Sequence, residues 1–337
     1  MKRRAPRSSL IRSSLTRRGL LAAISAAVLA AIPSGAPAQQ PGRAVTIIVP
    51  FTPGSGPDIL ARLLGEEIQT RWNQPVVIDN KPGASGNIGT QLAARSAPDG
   101  HTLLMTTSPF AINASLFKTL PYDPVTSFDP VIMVGSGALA LTVHPSLPVK
   151  STKEFIAYAK ERPGQLNYGS PGSGTPHHLA MELFKLQTKT DLKHIPYRGS
   201  AGATQDLAGG HVSAGFQAVH VALPLVQTGQ LRLLGVASKQ RVPAAGDVPT
   251  LDSEGVKDFD VPIWYGVLTP AGTPPDIVAR YNATLNEILR SPQVIEKLAK
   301  QGLVTAGGTP AAFGAFIKGE RDKWDKVITE AGIAKVE

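Results

Sequence analysis

The 337-residue chain contains no cysteine. Disulfides, thiolate metal sites, a cysteine nucleophile and a cysteine-linked lipid anchor are therefore excluded. Its stability has to come from packing alone, which a chain of this length can supply. Catalytic signatures are missing as well. No Gly-x-Ser-x-Gly elbow surrounds any serine, and no lysine completes a phosphate-binding loop. No His-Glu-x-x-His helix occurs, and the carboxylates are scattered without an acid–base pair. His177 and His178 are adjacent, which aims them at different faces of a helix; they read as surface or cap residues and not as a metal pair. The expectation is a chain that is not an enzyme and uses no metal or cofactor.

Charge is less abundant than the formal +9 suggests. Residues 1–38 hold Lys2, Arg3, Arg4, Arg7, Arg12, Arg17 and Arg18 and no acid; without those seven, 27 basic residues face 25 acidic ones. No nucleic-acid partner is implied. The same stretch reads as an export signal: basic residues, an apolar Leu20–Ile32, then Ala36-Pro37-Ala38 as a cleavage site. The Arg17-Arg18 pair before Leu20-Leu21 suits a twin-arginine signal, with Sec export as the alternative. The mature protein is expected in the periplasm. No later run is long and apolar enough to cross a bilayer.

What the chain has in quantity is glycine and hydroxyl loops at strand ends. Val45–Val49 is an apolar β-branched strand. Pro50-Phe51-Thr52-Pro53-Gly54-Ser55-Gly56-Pro57 is a tight loop, and a helix follows over Ile59–Thr70. Val76–Asn80 is a second strand, leading through a glycine loop at Lys81–Gly89 into a helix ending near Ala94. Thr102–Met105 is a strand that opens into Thr106-Thr107-Ser108-Pro109. Alternating strands and helices predict an α/β fold with a parallel sheet, whose ligands collect at the carboxyl ends of strands.

Phe128–Thr142 extends as strand, and His144–Pro148 breaks the pattern. Ser151 with Glu154 forms a capping box for a helix over Lys153–Arg162. A second copy of the design follows. Leu166–Tyr168 is a strand, Gly169–Pro176 a third glycine–hydroxyl loop, and a helix begins at His177. His194–Ser200 is a strand end and loop, Val212–Val219 and Leu231–Ser238 are strands, and Trp264–Leu268 is the return strand. Helices over Ile277–Arg290, Gln293–Gln301 and Ala311–Ala331 close the chain. Two passages between halves make a hinge, with lobe 1 over residues 39–144 and 248–337 and lobe 2 over 145–247. The hydroxyls of Thr52, Ser55, Thr107, Ser108, Ser170, Ser173 and Thr175, with the amides of Gly54, Gly56, Gly172 and Gly174, suit a small carboxylate held without turnover.

Five segments give this pattern a family: VPFTPGSGPDILAR, NKPGASGNIGTQLAARSAPDGHTLL, NYGSPGSGTPHHLAMELFK, HIPYRGSAGATQDLAGGHV and WYGVLTPAGTP. In this order they resemble the Bug-type periplasmic solute-binding receptors of the tripartite tricarboxylate transporter class. The resemblance implies a two-lobed α/β periplasmic binding protein, type II-like, whose lobes are joined by two crossover segments and close on a small organic anion. It implies a ligand carboxylate held partly through waters, by Phe51, Thr52, Gly54, Ser55, Thr107 and Ser108 from lobe 1. Lobe 2 would offer Ser170, Gly172, Ser173, Gly174, Thr175 and Arg198. It also implies a monomer that delivers its ligand to a two-component membrane permease; a sensor working through a membrane partner and an exported hydrolase or lyase are the alternatives.

Two departures from the family pattern bear on the ligand. Gly54-Ser55 stands where the family usually pairs glycines. Phe216 is followed by Gln217 where the family often has an acid, which removes the natural partner of an ammonium group. The expected ligand is therefore a carboxylate without an amino group.

Overall fold

The computed structural model describes residues 42–330 and Lys335. The export signal read over residues 1–38, with its cleavage after Ala38, lies outside the described residues.

The strands are β1 (Val45–Val49), β2 (Val76–Asn80), β3 (Thr102–Thr107), β4 (Phe128–Val143), β5 (Asn167–Ser170), β6 (Lys193–Pro196), β7 (Ala214–Ala218), β8 (Arg232–Val236), β9 (Pro262–Pro270) and β10 (Leu303–Thr305). They form a ten-stranded sheet in the order β2-β1-β3-β9-β4-β7-β5-β6, with β8 and β10 also paired to β4. The helices are α1 (Gly56–Trp72), α2 (Asn87–Ala94), α3 (Pro109–Leu116), α4 (Thr152–Lys160), α5 (Pro176–Thr188), α6 (Ser200–Ala208), α7 (Val219–Gln227), α8 (Pro275–Arg290), α9 (Pro292–Ala299) and α10 (Pro310–Glu330).

The sheet is mixed, which corrects the parallel sheet expected from the alternation of strands and helices. Parallel pairing holds inside each half: β1 with β2 and β3, and β5 with β6 and β7. The long β4 and the returning β9 run antiparallel to each other. The reason is topological: the chain leaves one half along β4 and comes back along β9. From Phe128 to Ala138, β4 pairs with β9 and, near Gly137, with β10. From Leu139 to Val143 it pairs with β7 and β8 instead. One strand therefore belongs to two halves, and register shifts near Pro130 and Gly135 bend it on the way.

Apolar positions of the strands explain the core. Ile47, Val49, Leu103 and Met105 are buried against Leu60, Leu64 and Ile68 of α1. In the other half Phe216 stacks on Phe259 with ring centres 5.6 Å apart, and Phe184 meets both edge to face. Ser151 caps α4 by accepting from the Glu154 amide at 3.1 Å. The Glu154 carboxylate accepts from Lys150 N and not from Ser151, so only half of the expected capping box forms.

The two halves also meet face to face. Ser85 Oγ donates to Ser173 O at 2.6 Å, and Thr52 Oγ1 accepts from Ala201 N at 3.1 Å. Ile112 and Leu116 of α3 pack with Leu179 of α5. Gly174, at φ +78°, lets the second half approach; a Cβ there would lie 1.8 Å from Leu116 Cδ2.

Candidate functional site

Helices α1, α3, α5 and α6 each follow a strand of the sheet, and each begins at the same place. Gly56 and Pro57 open α1, Pro109 opens α3, Pro176 and His177 open α5, and Ser200 opens α6; all six residues line one cavity. Proline suits these first-turn positions because its missing N–H has no partner to lose there. Helix N-termini carry partial positive charge and unsatisfied amides, so their convergence makes a field that favours an anion.

The cavity is about 30 Å3, room for about one or two waters. Phe51, Pro57, Pro109, Pro171, Val221 and Ile263 make apolar walls, and Thr107, Thr175, His177, Ser200, Gln217 and Tyr265 supply polar groups. Among the described residues, no lysine, arginine, aspartate or glutamate is in the lining. The positive potential that the lining itself brings is that of the helix N-termini.

The polar groups are poised but incompletely paired. Ser55 is buried at the N-cap of α1 without a capping bond, and its Oγ has no partner. Gln217 is 1% exposed; its Oε1 accepts from Thr204 Oγ1 at 2.9 Å, and its Nε2 is unpartnered. The Nδ1 atoms of His177 and His220 are buried without partners. His220 Nε2 lies 3.3 Å from Tyr265 OH. Buried polar groups normally find partners; of these four atoms, those of Gln217 and His177 belong to residues that line the cavity, while Ser55 precedes Gly56 and His220 lies behind Tyr265. Burial pushes His177 down to about 4. Burial, then the neighbouring His177, push His220 down to about 3. Burial pushes the Tyr265 phenol up. All three are neutral in this cavity at neutral pH.

Asp58 holds the first loop in shape. Its carboxylate accepts from Gly54 N at 2.8 Å, Arg62 Nε at 3.0 Å and Asn80 Nδ2 at 3.1 Å. Burial pushes this carboxyl up, but the hydrogen bonds and the Arg62 charge together hold it below the usual carboxylate range.

Of the residues expected from sequence, Phe51, Gly56, Thr107, Thr175 and Gln217 line the cavity. The others are placed differently, and hydrogen bonding explains most of them. The amides offered as anion donors are engaged inside the chain: Gly54 N with Asp58, Gly172 N with Ser170 Oγ at 3.2 Å, and Gly174 N with His178 Nδ1 at 3.1 Å. Several hydroxyls are engaged too. Thr107 donates to Trp264 O, Ser108 accepts from Trp264 N, and Ser170 pairs with His194 Nε2 at 2.7 Å. Thr175 donates to Gly172 O at 2.7 Å and caps α5. Thr52 and Ser173 make the bonds between halves described above. Arg198 is exposed, beside the Gly199 that abuts Thr52. Phe216 is core, because alternate residues of β7 face opposite sides of the sheet and Gln217 takes the cavity side.

Sequence reasoning missed His177, Tyr265, Ser200 and His220. His177 and His178 do face apart, as their spacing requires, but His177 is neither a surface nor a cap residue. His178 accepts from the loop and stacks on His194 at 4.2 Å, while His177 turns into the cavity. Position two of a helix that follows a glycine loop was the available signal. Tyr265 sits inside a quoted family segment, where nothing marks it as polar floor rather than core.

The chain matches the model of the tripartite tricarboxylate transporter family receptor over residues 60–333. Among solved structures it is similar to R. palustris Rpa4515 with adipate, at 37% identity and a TM-score of 0.85, covering 88% of this chain and 99% of that one. It is similar to the periplasmic binding protein BugD, at 31% identity and a TM-score of 0.84, covering 88% and 100%. It is also similar to MatC (Rpa3494) from Rhodopseudomonas palustris with bound malate, at 30% identity and a TM-score of 0.80, covering 86% and 100%.

Proposed function

The chain belongs to the tripartite tricarboxylate transporter receptor family, and from that premise we propose that it captures a small organic carboxylate by closing two lobes and delivers it to a two-component membrane permease. A two-lobed α/β solute-binding fold is common to the chain and its structural neighbours. The observation that carries the ligand class is the meeting of four helix N-termini at a cavity lined by no charged side chain. Backbone dipoles favour an anion, and walls of proline, Phe51, Val221 and Ile263 favour a carbon skeleton next to it.

Gln217 gives the site a neutral amide where an acid would be needed to hold an ammonium. The ligand is a carboxylate without an amino group, and the adipate and malate of the neighbours are acids of that kind.

Closure follows from size. A cavity of about 30 Å3 holds about one or two waters, and an organic acid needs the walls to part before it enters. The lobes in this reading are residues 39–144 with 248–337, and residues 145–247, with the exchange of partners along β4 close to the first boundary. The leader exports the protein to the periplasm, where it works as a monomer.

Calorimetric titration of the mature chain tests the reading. The panel is adipate, malate and succinate beside their amino analogues 2-aminoadipate and aspartate. Saturable binding of at least one amino-free acid is expected. Binding of the amino acids alone would refute the ligand class, and the absence of compaction in small-angle scattering with a verified ligand would refute closure.

A further inference from the structure

The cavity contains groups that can become cationic, but they are neutral as it stands. His177, from α5, presents a buried Nδ1 with no partner. His220, from α7, is 4% exposed and packs behind the cavity, its Nε2 lying 2.5 Å from where a Cβ on Gly56 would stand. Tyr265, from β9, touches His220 through its hydroxyl. Gln217, from β7, lines the same cavity with an unpartnered Nε2. Asp58 of α1, close to Gly56 in the chain, is committed to Arg62, Gly54 and Asn80. No lysine or arginine is in the lining to neutralise an incoming anion.

We propose that one carboxylate of the ligand seats between the Gln217 amide and the His177 imidazole, and that its binding brings in up to one proton. This deepens the receptor reading and rests on it. The proton comes from solvent and bonds to the lone pair on a His177 ring nitrogen. The seated carboxylate stays ionised, so its charge is cancelled by the imidazolium; a second carboxylate of a dicarboxylate keeps its own charge.

The physical case is a balance of two effects. Burial disfavours an imidazolium and keeps both rings neutral without ligand. An opposite charge at hydrogen-bond distance raises a histidine pKa by about one to three units. For His177, starting at about 4, that increase reaches about 5 to 7. The loaded protein then holds more protons than the free one, so affinity rises as pH falls. Simple carboxylate binding has the opposite sign, because acid protonates the ligand itself and removes its charge.

The test is calorimetry of the mature protein with the tightest binder among adipate, malate, succinate, hexanoate and benzoate. Titrations are run at about pH 7 and about pH 5.5 in pairs of buffers with different ionisation enthalpies. Between the two conditions the expected gain in affinity is about 1.3-fold to 16-fold, with about 0.2 to 0.9 proton taken up per ligand at the lower pH. His177→Asn keeps a hydrogen-bond donor on a group that does not titrate and is expected to bind without proton uptake and with a flat or reversed pH profile. Histidine ring carbon shifts by NMR in the unmodified protein give the same answer without a variant: one imidazole pKa is expected to rise on loading. If no acid on the panel binds, the carboxylate-receptor reading falls and takes this inference with it. If an acid binds with no proton uptake, or if uptake persists in His177→Asn, this inference is overturned and the receptor reading stands.

Discussion

The bonds that join the two halves give the proposed closure a measurable strength. Ser85 Oγ donates to Ser173 O at 2.6 Å, and Thr52 Oγ1 accepts from Ala201 N at 3.1 Å. They share no partner and come from separate loops. Ser85→Ala removes the first, and Thr52→Val removes the second while keeping the side chain's shape. Each is a neutral bond near solvent, so each loss costs about 0.5–1.5 kcal/mol of the closed form. Distant, independent sites add, giving the double variant about 1–3 kcal/mol, or about 5-fold to 150-fold in the closure equilibrium. If the free protein is mainly open, the whole change reaches ligand affinity. If it is mainly closed, the change appears as a larger radius of gyration without ligand. Calorimetry and small-angle scattering on the same samples read both limits. Wild-type affinity together with a wild-type radius in the double variant would refute the claim that these contacts hold the closed state.

Three further outcomes follow from single sites. Gly56→Ala puts a Cβ 2.5 Å from both His220 Nε2 and Tyr265 OH; overpacking of this kind costs about 1–3 kcal/mol, and we expect a lower melting temperature and at least a tenfold loss of affinity, read by scanning calorimetry and titration. Asp58→Asn should lower stability by about 1–3 kcal/mol through its charge-assisted bonds and weaken the acid sensitivity of the fold: a depressed folded pKa contributes stability above the unfolded value near 4 and loses it as pH falls through the lower folded value, so urea unfolding at neutral and acid pH should show the variant's deficit shrinking in acid. Phe216→Ala should cost about 3–5 kcal/mol of stability, with ligand affinity of the folded protein unchanged, which separates a core role from a binding role by denaturation and titration.

Much of this architecture is readable in the sequence, because its strands and breaks are strongly marked. Val76–Asn80 is bounded by Pro75 on one side and Pro82 on the other, and the strand ends where the expectation put it. The 3-residue β10 was not legible, since Leu303-Val304-Thr305 is too short to show a period. Helix α3 was also missed. Pro109–Leu116 is apolar on nearly every side because it is packed all round, and an amphipathic pattern never appears.

The cavity was legible as a place but less so as a set of contacts. Strand-end loops after β1, β3 and β5 each supply a residue that lines it: Phe51, Thr107 and Thr175. They could not show that Gly54, Gly172 and Gly174 spend their amides within the chain, because that depends on Asp58, Ser170 and His178 folding back onto them. Gln217 was found because its neighbour on β7 drew attention to an absent acid. His177 and Tyr265 reach the cavity only through the packing of α5 and β9, which no local spacing encodes.

The most direct test is a crystal structure of the mature chain with the tightest amino-free acid from the titration panel. A ligand carboxylate is expected at the first turns of α1, α3, α5 and α6, within hydrogen-bond distance of Ser55 Oγ and Gln217 Nε2, with its carbon chain against Phe51 and the proline walls. Ligand density in the outer groove lined by Pro53, Gly54, Gln205 and Gln230 instead, with the cavity holding only water, would contradict the account.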